Sequence, residues 1–125
     1  MAASGLINPR FNHAQKAVDF AVKMLDIIEA FNRENGTEIG IRIGLDSGDV
    51  YAGLVGNIKI EYNVWGNTVD IASALRYYTC NNSIRITKIV YELLTNKEQF
   101  AKCKSVEIEE FGVVESYQYG GCKED

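Results

Sequence analysis

The stretch 38-EIGIRIGLDSGDVYAGLVG-56 decides how this chain is built, because two apolar runs flank a turn-rich segment. Every second residue from Ile39 to Leu45 is apolar, which is the period-two pattern of a β-strand. The residues 46-DSGD-49 supply turn chemistry before the second apolar run begins. The stretch therefore predicts a β-hairpin.

Upstream of this hairpin the spacing changes to that of a helix. Residues 12–35 place apolar side chains three or four positions apart, with Asn12 as the expected N-cap and Gly36 as the C-terminal stop. The side chains expected on the core face are Ala14, Ala17, Val18, Ala21, Leu25, Ile28 and Phe31. The pattern predicts an amphipathic helix, preceded by a short extended segment at residues 1–7.

Downstream of the hairpin the residues predict a further strand, 58-IKIEYNVW-65, and then a helix. Asn67 is the expected N-cap, and Asp70 stands at the third helical position, where a carboxylate can accept from free backbone N–H groups. The remaining elements are expected as a strand near 84–86, a helix at 88–96, and strands at 103–111 and 113–119. This order predicts an α+β fold in which helices pack on a largely antiparallel sheet.

Composition narrows the class of protein. The 125 residues are enough for one domain, and the net charge of −4 argues against a protein that binds nucleic-acid phosphates. Three widely spaced cysteines with the single His13 make no zinc pattern, so we expect reduced thiols. No signal sequence and no membrane-length apolar run appear in the sequence. We therefore expect a cytoplasmic protein, with no membrane span within this chain.

Several motifs resemble one family in the same order along the chain. The runs 41-IRIGLDSGDVYAGLVG-56 and 62-YNVWGNTVDIAS-73, with the start 1-MAASGL-6 and the end 111-FGVVESY-117, resemble the class III adenylyl/guanylyl cyclase catalytic domain. The resemblance implies a ferredoxin-like cyclase-type sandwich with helices on one face of the sheet, missing the first strand and helices. It implies a partial nucleotidyl cyclase domain at residues 1–119. The polar residues 120-GGCKED-125 are expected to form a flexible tail.

The resemblance also assigns positions at a nucleotide site. Asn63 stands where the family reads the purine, although an amide can contact either base and could equally be a polar strand residue facing solvent. Asp70 stands at the ribose-orienting asparagine, where a helix-capping role is the favoured alternative. Ala74 stands at the phosphate-stabilising arginine, and Phe111 ends the 109–111 segment that replaces the triphosphate-binding lysines. We expect no intact catalytic residue.

The cofactor and partner expectations follow from the same resemblance. The family's metal-binding aspartates belong to elements that lie before the position of Met1, so no metal is expected on this chain alone, and Mg or Mn on the complete family domain. The expected partner is a second copy or a complementary cyclase domain, with a purine nucleotide as a further candidate. The chain alone is predicted not to convert ATP or GTP to a cyclic nucleotide. The alternative is a degenerate cyclase-homology domain that acts in dimerisation or regulation.

Overall fold

The computed structural model describes residues 1–6, 12–59 and 61–119, without the side chains of Glu61 and Tyr62. Three α-helices lie in these ranges, α1 (His13–Asn35), α2 (Asn67–Leu75) and α3 (Lys88–Leu93), and a 3₁₀ turn at Arg76–Tyr78 follows α2. The strands are β1 (Arg42–Leu45), β2 (Tyr51–Val55), β3 (Glu61–Trp65), β4 (Ser83–Thr87), β5 (Ala101–Lys102), β6 (Val106–Ile108), β7 (Gly112–Val114) and β8 (Ser116–Tyr119).

A four-stranded sheet with the order β1-β4-β8-β5 forms the centre of the fold. β1 and β4 run parallel, whereas β8 runs antiparallel to both β4 and β5. Two separate antiparallel hairpins, β2–β3 and β6–β7, complete the described strands. The predicted α+β fold with a mostly antiparallel sheet is thereby confirmed.

The hairpin predicted at residues 38–56 is wrong in its pairing. β1 pairs in parallel with β4, and β2 pairs with β3, so that Tyr51 lies opposite Trp65. Period-two alternation identifies a strand but carries no information on its partner, which depends on packing elsewhere in the chain. The third strand also begins later than predicted, at Glu61, and Ile58 lies fully exposed in the connection between β2 and β3.

The main core lies between the sheet and two helices. Buried side chains of α1, β4 and α3 form one cluster, and Ile43 and Leu45 of β1 pack against it. Gly44 lies between these two residues and therefore faces the opposite side of the sheet. There it meets α2, because a Cβ at Gly44 would lie 2.2 Å from the backbone oxygen of Ala72. α1 and α3 thus cover one face as predicted, and α2 covers the other.

The helix ends match the sequence expectations in part. Gly36 ends α1 in the left-handed conformation, with φ of 63°, and its N–H donates to the oxygen of Asn32. Asn12 precedes α1 without making a side-chain capping hydrogen bond. Gly66, with φ of 131°, precedes α2, so the expectation of Asn67 as N-cap is wrong and Asp70 occupies the fourth helical position. Glycine adopts a φ of 131° at little energetic cost, whereas asparagine does not. The N-cap is therefore Gly66, one residue before the predicted position.

The strands near the C-terminal end are shorter than predicted. The segment 113–119 divides into β7 and β8 at Glu115, whose carbonyl accepts from the N–H of Lys88 instead of joining a ladder. Only 106–108 of the expected 103–111 strand is extended, and β5 was not predicted. Helix α3 ends at Leu93, three residues before the predicted end.

The described N-terminal residues and one cysteine also differ from expectation. Residues 1–3 have no regular secondary structure and residues 4–6 form a bend, although an extended segment was predicted over 1–7. A strand needs a hydrogen-bonded neighbour, which apolar character alone does not supply.

Cys80 is disulfide-bonded, so the expectation of reduced thiols is wrong there, whereas Cys103 is a thiol. The predicted tail at 120–125, including Cys122, lies outside the described residues.

Candidate nucleotide site

Asn63 lies in the middle of β3, directly opposite Gly53 of β2, with its side chain exposed. Its Oδ1 accepts from the backbone N–H of Val64 at 2.9 Å. Tyr51 and Trp65 form the next cross-strand pair on the same face of the hairpin, with ring centroids 6.4 Å apart and planes 20° apart. Asn63 therefore presents its amide NH₂ beside an aromatic pair on an exposed surface.

Asp70 lies in the first turn of α2 and its side chain is exposed. Its N–H donates to the oxygen of Gly66 at 3.1 Å, which closes the first helical turn. No side chain of the described residues caps this helix end, so the predicted capping bond from the Asp70 carboxylate is not formed. What remains is the favourable position of a negative charge near a helix N-terminus.

Ala74 and Phe111 are brought together in one apolar cluster. Its buried members are Leu75 at the end of α2 and Val106 and Ile108 of β6. Ile71, Ala74, Phe111 and Val114 pack against them, half-buried. The positions at which the resemblance expects phosphate contacts are therefore occupied by packed hydrocarbon, which offers no donor to an anion.

The turn between β6 and β7 adds negative charge beside this cluster. Glu109 and Glu110 are exposed, and the N–H of Phe111 donates to the oxygen of Ile108 at 3.0 Å, which closes the turn. Glu110 adopts φ of 76°, a conformation that glycine or asparagine would enter more easily. Two carboxylates at this turn repel a triphosphate instead of attracting one.

A polar network that the sequence did not predict joins the ends of β1 and β4. The hydroxyl of Thr87 donates to Oδ1 of Asp46 at 2.8 Å, and the N–H of Ser47 donates to the same oxygen at 2.9 Å. Burial raises the pKa of Asp46, and these two hydrogen bonds lower it by less. Nε2 of His13 lies 2.6 Å from the Ser47 hydroxyl. The network fixes the loop after β1 to the starts of α1 and α3.

Arg85 is the second feature that sequence reasoning missed. It is only 4% exposed, on the face of β4 that lies towards α2. Its guanidinium donates to Ser116 Oγ at 2.9 Å and to the backbone oxygens of Tyr78 and Lys104 at 2.5 and 3.0 Å. The charged residue in the apolar run 84-IRI-86 was the available signal. Arg85 holds the 3₁₀ turn and the segment before β6 against the sheet.

The described residues contain no cluster of metal-ligating side chains. Within 1–6, 12–59 and 61–119, no three side chains of histidine, cysteine, aspartate or glutamate come close enough to hold a metal ion together. In the same ranges, no helix combines the length and the apolar character needed to cross a bilayer.

Comparison with known proteins gives a consistent result. The family model described as the adenylate and guanylate cyclase catalytic domain matches residues 1–120. An adenylate cyclase of Mycobacterium bovis is 30% identical over 123 residues, which is 98% of this chain and 28% of the relative. Adenylate cyclase type 9 of Gallus gallus is 29% identical and is matched over all of this chain and 10% of its own length.

Solved structures show the same similarity. The guanylate cyclase domain of RhGC from Catenaria anguillulae, in complex with GTP, superposes with a TM-score of 0.85 at 29% identity. The match covers 96% of this chain and 66% of that domain structure. The chain thus spans about two thirds of this structure and less than a third of the mycobacterial relative.

Proposed function

Since the chain belongs to the adenylate and guanylate cyclase catalytic domain family, we propose that it is a class III cyclase domain segment that makes no cyclic nucleotide on its own. The apolar cluster that contains Ala74 and Phe111 carries this proposal. Loss of one charge-stabilising donor costs roughly 100- to 1000-fold in rate, and loss of an arginine at a phosphoryl group costs more.

The other two site positions support weak contact with a nucleotide at best. Asn63 can still meet a purine edge, because its NH₂ group is exposed on β3. Asp70 is exposed in the first turn of α2, where an anionic ligand would meet its negative charge. The proposal assigns Asn63 and Asp70 a nucleotide-facing position without catalytic power.

The β2–β3 hairpin is the surface that we assign to a complementary cyclase domain. Its apolar side chains are largely exposed: Tyr51, Leu54, Val55, Ile58 and Trp65 have exposed fractions of 70%, 73%, 47%, 103% and 47%. An isolated two-stranded hairpin with this much apolar surface gains stability when a partner covers it. A solved guanylyl cyclase domain from Blastocladiella emersonii is described as a non-canonical dimer.

A second candidate function is a degenerate cyclase-homology domain that regulates its partner. The acidic turn at Glu109 and Glu110 favours this alternative, because it lowers affinity for an anionic substrate in any pairing. The two candidates differ in one observable property. A catalytic segment restores turnover when a complementary cyclase domain supplies the base, ribose and phosphate contacts, whereas a regulatory module changes only the partner's own turnover.

The experiment is a cyclase assay on the pure chain with ATP or GTP and either Mg²⁺ or Mn²⁺. We expect no cyclic nucleotide and no pyrophosphate above the buffer value. The control is Ala74→Glu, which would abolish a turnover belonging to this chain but leave a contaminant's turnover unchanged. Turnover that Ala74→Glu removes would falsify the proposal.

A cytoplasmic location stays a prediction. The division into a domain at 1–119 and a tail also stays a prediction.

A further inference from the structure

Helix α1 ends at the pair Asn35–Gly36, which is the only Asn-Gly pair in the sequence. Glycine has no Cβ, so its backbone nitrogen can approach the preceding side-chain amide more closely than the nitrogen of any other residue. An attack by that nitrogen makes asparagine a chemically labile residue. The sequence therefore places one self-reactive amide at the end of α1.

Hydrogen bonds of the last helical turn hold the two reacting groups. Nδ2 of Asn35 donates to the backbone oxygen of Phe31 at 2.9 Å. The N–H of Gly36 donates to the oxygen of Asn32. Phe31 was expected on the core face, but its side chain is 44% exposed. Because the Gly36 nitrogen loses its proton in the attack, its hydrogen bond must open first.

Opening this turn requires only local changes. Terminal turns of helices fray with a free energy close to zero, far below that of global unfolding. The side chain of Asn32 restrains the segment beyond the helix, since its Oδ1 accepts from the Thr37 hydroxyl at 2.8 Å and from the N–H of Ile39 at 3.0 Å. All these contacts lie within residues 31–39. The reaction therefore depends on this turn and on water, and not on other elements of the domain.

We propose that Asn35 is a site of spontaneous deamidation, and that its conversion loosens the end of α1. The Gly36 nitrogen forms a bond to Cγ of Asn35, the bond from Cγ to Nδ2 breaks, and Nδ2 leaves as ammonia with the proton of the Gly36 N–H. Water then opens the cyclic imide at Cγ, which gives aspartate, or at the backbone carbonyl, which gives isoaspartate. This chemistry is independent of the proposed cyclase function.

Either product weakens the helix end. The donor to the Phe31 oxygen is lost, and a negative charge appears at the C-terminus of the helix, where the helix dipole disfavours it. The neighbouring carboxylates of Glu34 and Glu38, both exposed, repel the new charge. Isoaspartate also adds a methylene group to the main chain, which disrupts the left-handed turn at Gly36.

Mass spectrometry of the full chain, incubated at mildly alkaline pH, tests the modification. Trypsin releases residues 34–42, and fragment ions assign the mass gain of deamidation to position 35. We expect conversion within about tenfold of the rate in guanidinium chloride, because a helix end opens at little cost. Gly36→Asn tolerates the left-handed conformation but crowds the attacking nitrogen, and should slow conversion by at least about tenfold.

Two results of this experiment overturn the site. One is a folded chain that gains no mass while the chain in guanidinium chloride converts. The other is conversion of Gly36→Asn at the wild-type rate, which excludes attack by the backbone nitrogen.

Urea denaturation of Asn35→Asp tests the consequence, because this variant reproduces the aspartate product. We expect the ratio of unfolded to folded chain to rise about fivefold at low salt, from the lost hydrogen bond and the unfavourable charge. Asn57→Asp adds the same charge at an exposed position between β2 and β3, and should change the ratio by less than about twofold. Equal ratios for the two variants contradict the loosening of α1.

Discussion

Ala74 of α2 and Phe111 of the β6–β7 turn pack against the same buried cluster, although 37 residues separate them along the chain. Cationic side chains at both positions would repel one another and would not share this packing. The two apolar side chains are therefore compatible with one packed cluster. This packing holds the β6–β7 hairpin onto α2.

Ala74→Arg is expected to destabilise the fold by about 1–3 kcal/mol, because the larger side chain must enter the packed cluster. Urea denaturation measures the change. Ser73→Arg is the matched control, since the neighbouring side chain is exposed and should change stability by less than about 0.5 kcal/mol. Equal effects of the two variants would contradict the packing described for Ala74.

Gly44→Ala is expected to cost about 3 kcal/mol. The added Cβ would lie 2.2 Å from the Ala72 oxygen, and that oxygen belongs to helix backbone that cannot rotate away. Gly53→Ala serves as the comparison, because a Cβ there meets its nearest atom, in Trp65, at an ordinary 3.7 Å. Thermal or urea unfolding that shows the two variants equally stable would refute the close approach of α2 to β1.

Asp46→Asn is expected to change the pH dependence of stability. Burial raises the pKa of Asp46 above 3.8 in the folded chain, so the folded state binds this proton more tightly than the unfolded state. The stability contribution of the carboxyl therefore declines as the pH rises from 3.8 through the raised pKa, and stays low above it. Asparagine keeps Oδ1 as acceptor for Thr87 and Ser47 but does not titrate.

The free energy of unfolding of Asp46→Asn, relative to that of wild type, should accordingly increase as the pH rises across that window and then level off. Urea denaturation at a series of pH values measures it. Asp49→Asn, which changes the net charge equally at an exposed site, is the control. An advantage that is the same at all pH values would show that the carboxyl of Asp46 is not the titrating group.

Arg85→Leu is expected to destabilise the chain by about 2–4 kcal/mol. The substitution leaves the backbone oxygens of Tyr78 and Lys104 and the hydroxyl of Ser116 without this donor, and unsatisfied buried groups are costly. Arg42→Leu removes an exposed arginine from β1 and should cost less than about 0.5 kcal/mol. Chemical denaturation of both variants distinguishes a structural arginine from a surface one.

Glu110→Gly is expected to stabilise the fold by about 1 kcal/mol, because glycine adopts φ of 76° without the penalty that glutamate incurs. Glu109→Gly, one residue earlier in the same turn, removes the same charge but does not remove the backbone strain at position 110. If Glu109→Gly stabilises the chain as much, the gain comes from charge and not from backbone conformation.

Local patterns were sufficient to predict most elements and the α+β class. Helical spacing and Gly36 predicted α1 and its end correctly, and the motifs at 41–56 and 62–73 predicted the family. These signals work because side-chain period and capping residues act over a few neighbours.

Features that depend on distant residues were not predicted. The partner of β1 is set by the Ile43 and Leu45 contacts with α1 and by the approach of α2 at Gly44, none of which is visible in 38–56 alone. The Asp46–Thr87 contact follows from that parallel pairing and was missed for the same reason. At the candidate site, the sequence shows that neither position 74 nor position 111 carries a cationic side chain. It did not predict that Ala74 and Phe111 would pack in one cluster.

The parallel pairing of β1 with β4 has a consequence for how the chain acquires its structure. Asp46 and Thr87, at the ends of these strands, are 41 residues apart, and the β2–β3 hairpin and α2 lie within the loop that this contact closes. Hairpin and helix form from near neighbours, while closure of a long loop is slower. β8, which lies between β4 and β5, is the last described strand to leave the ribosome. During synthesis one edge of β4 therefore stays unpaired until β8 has emerged, and an unpaired strand edge is prone to aggregation.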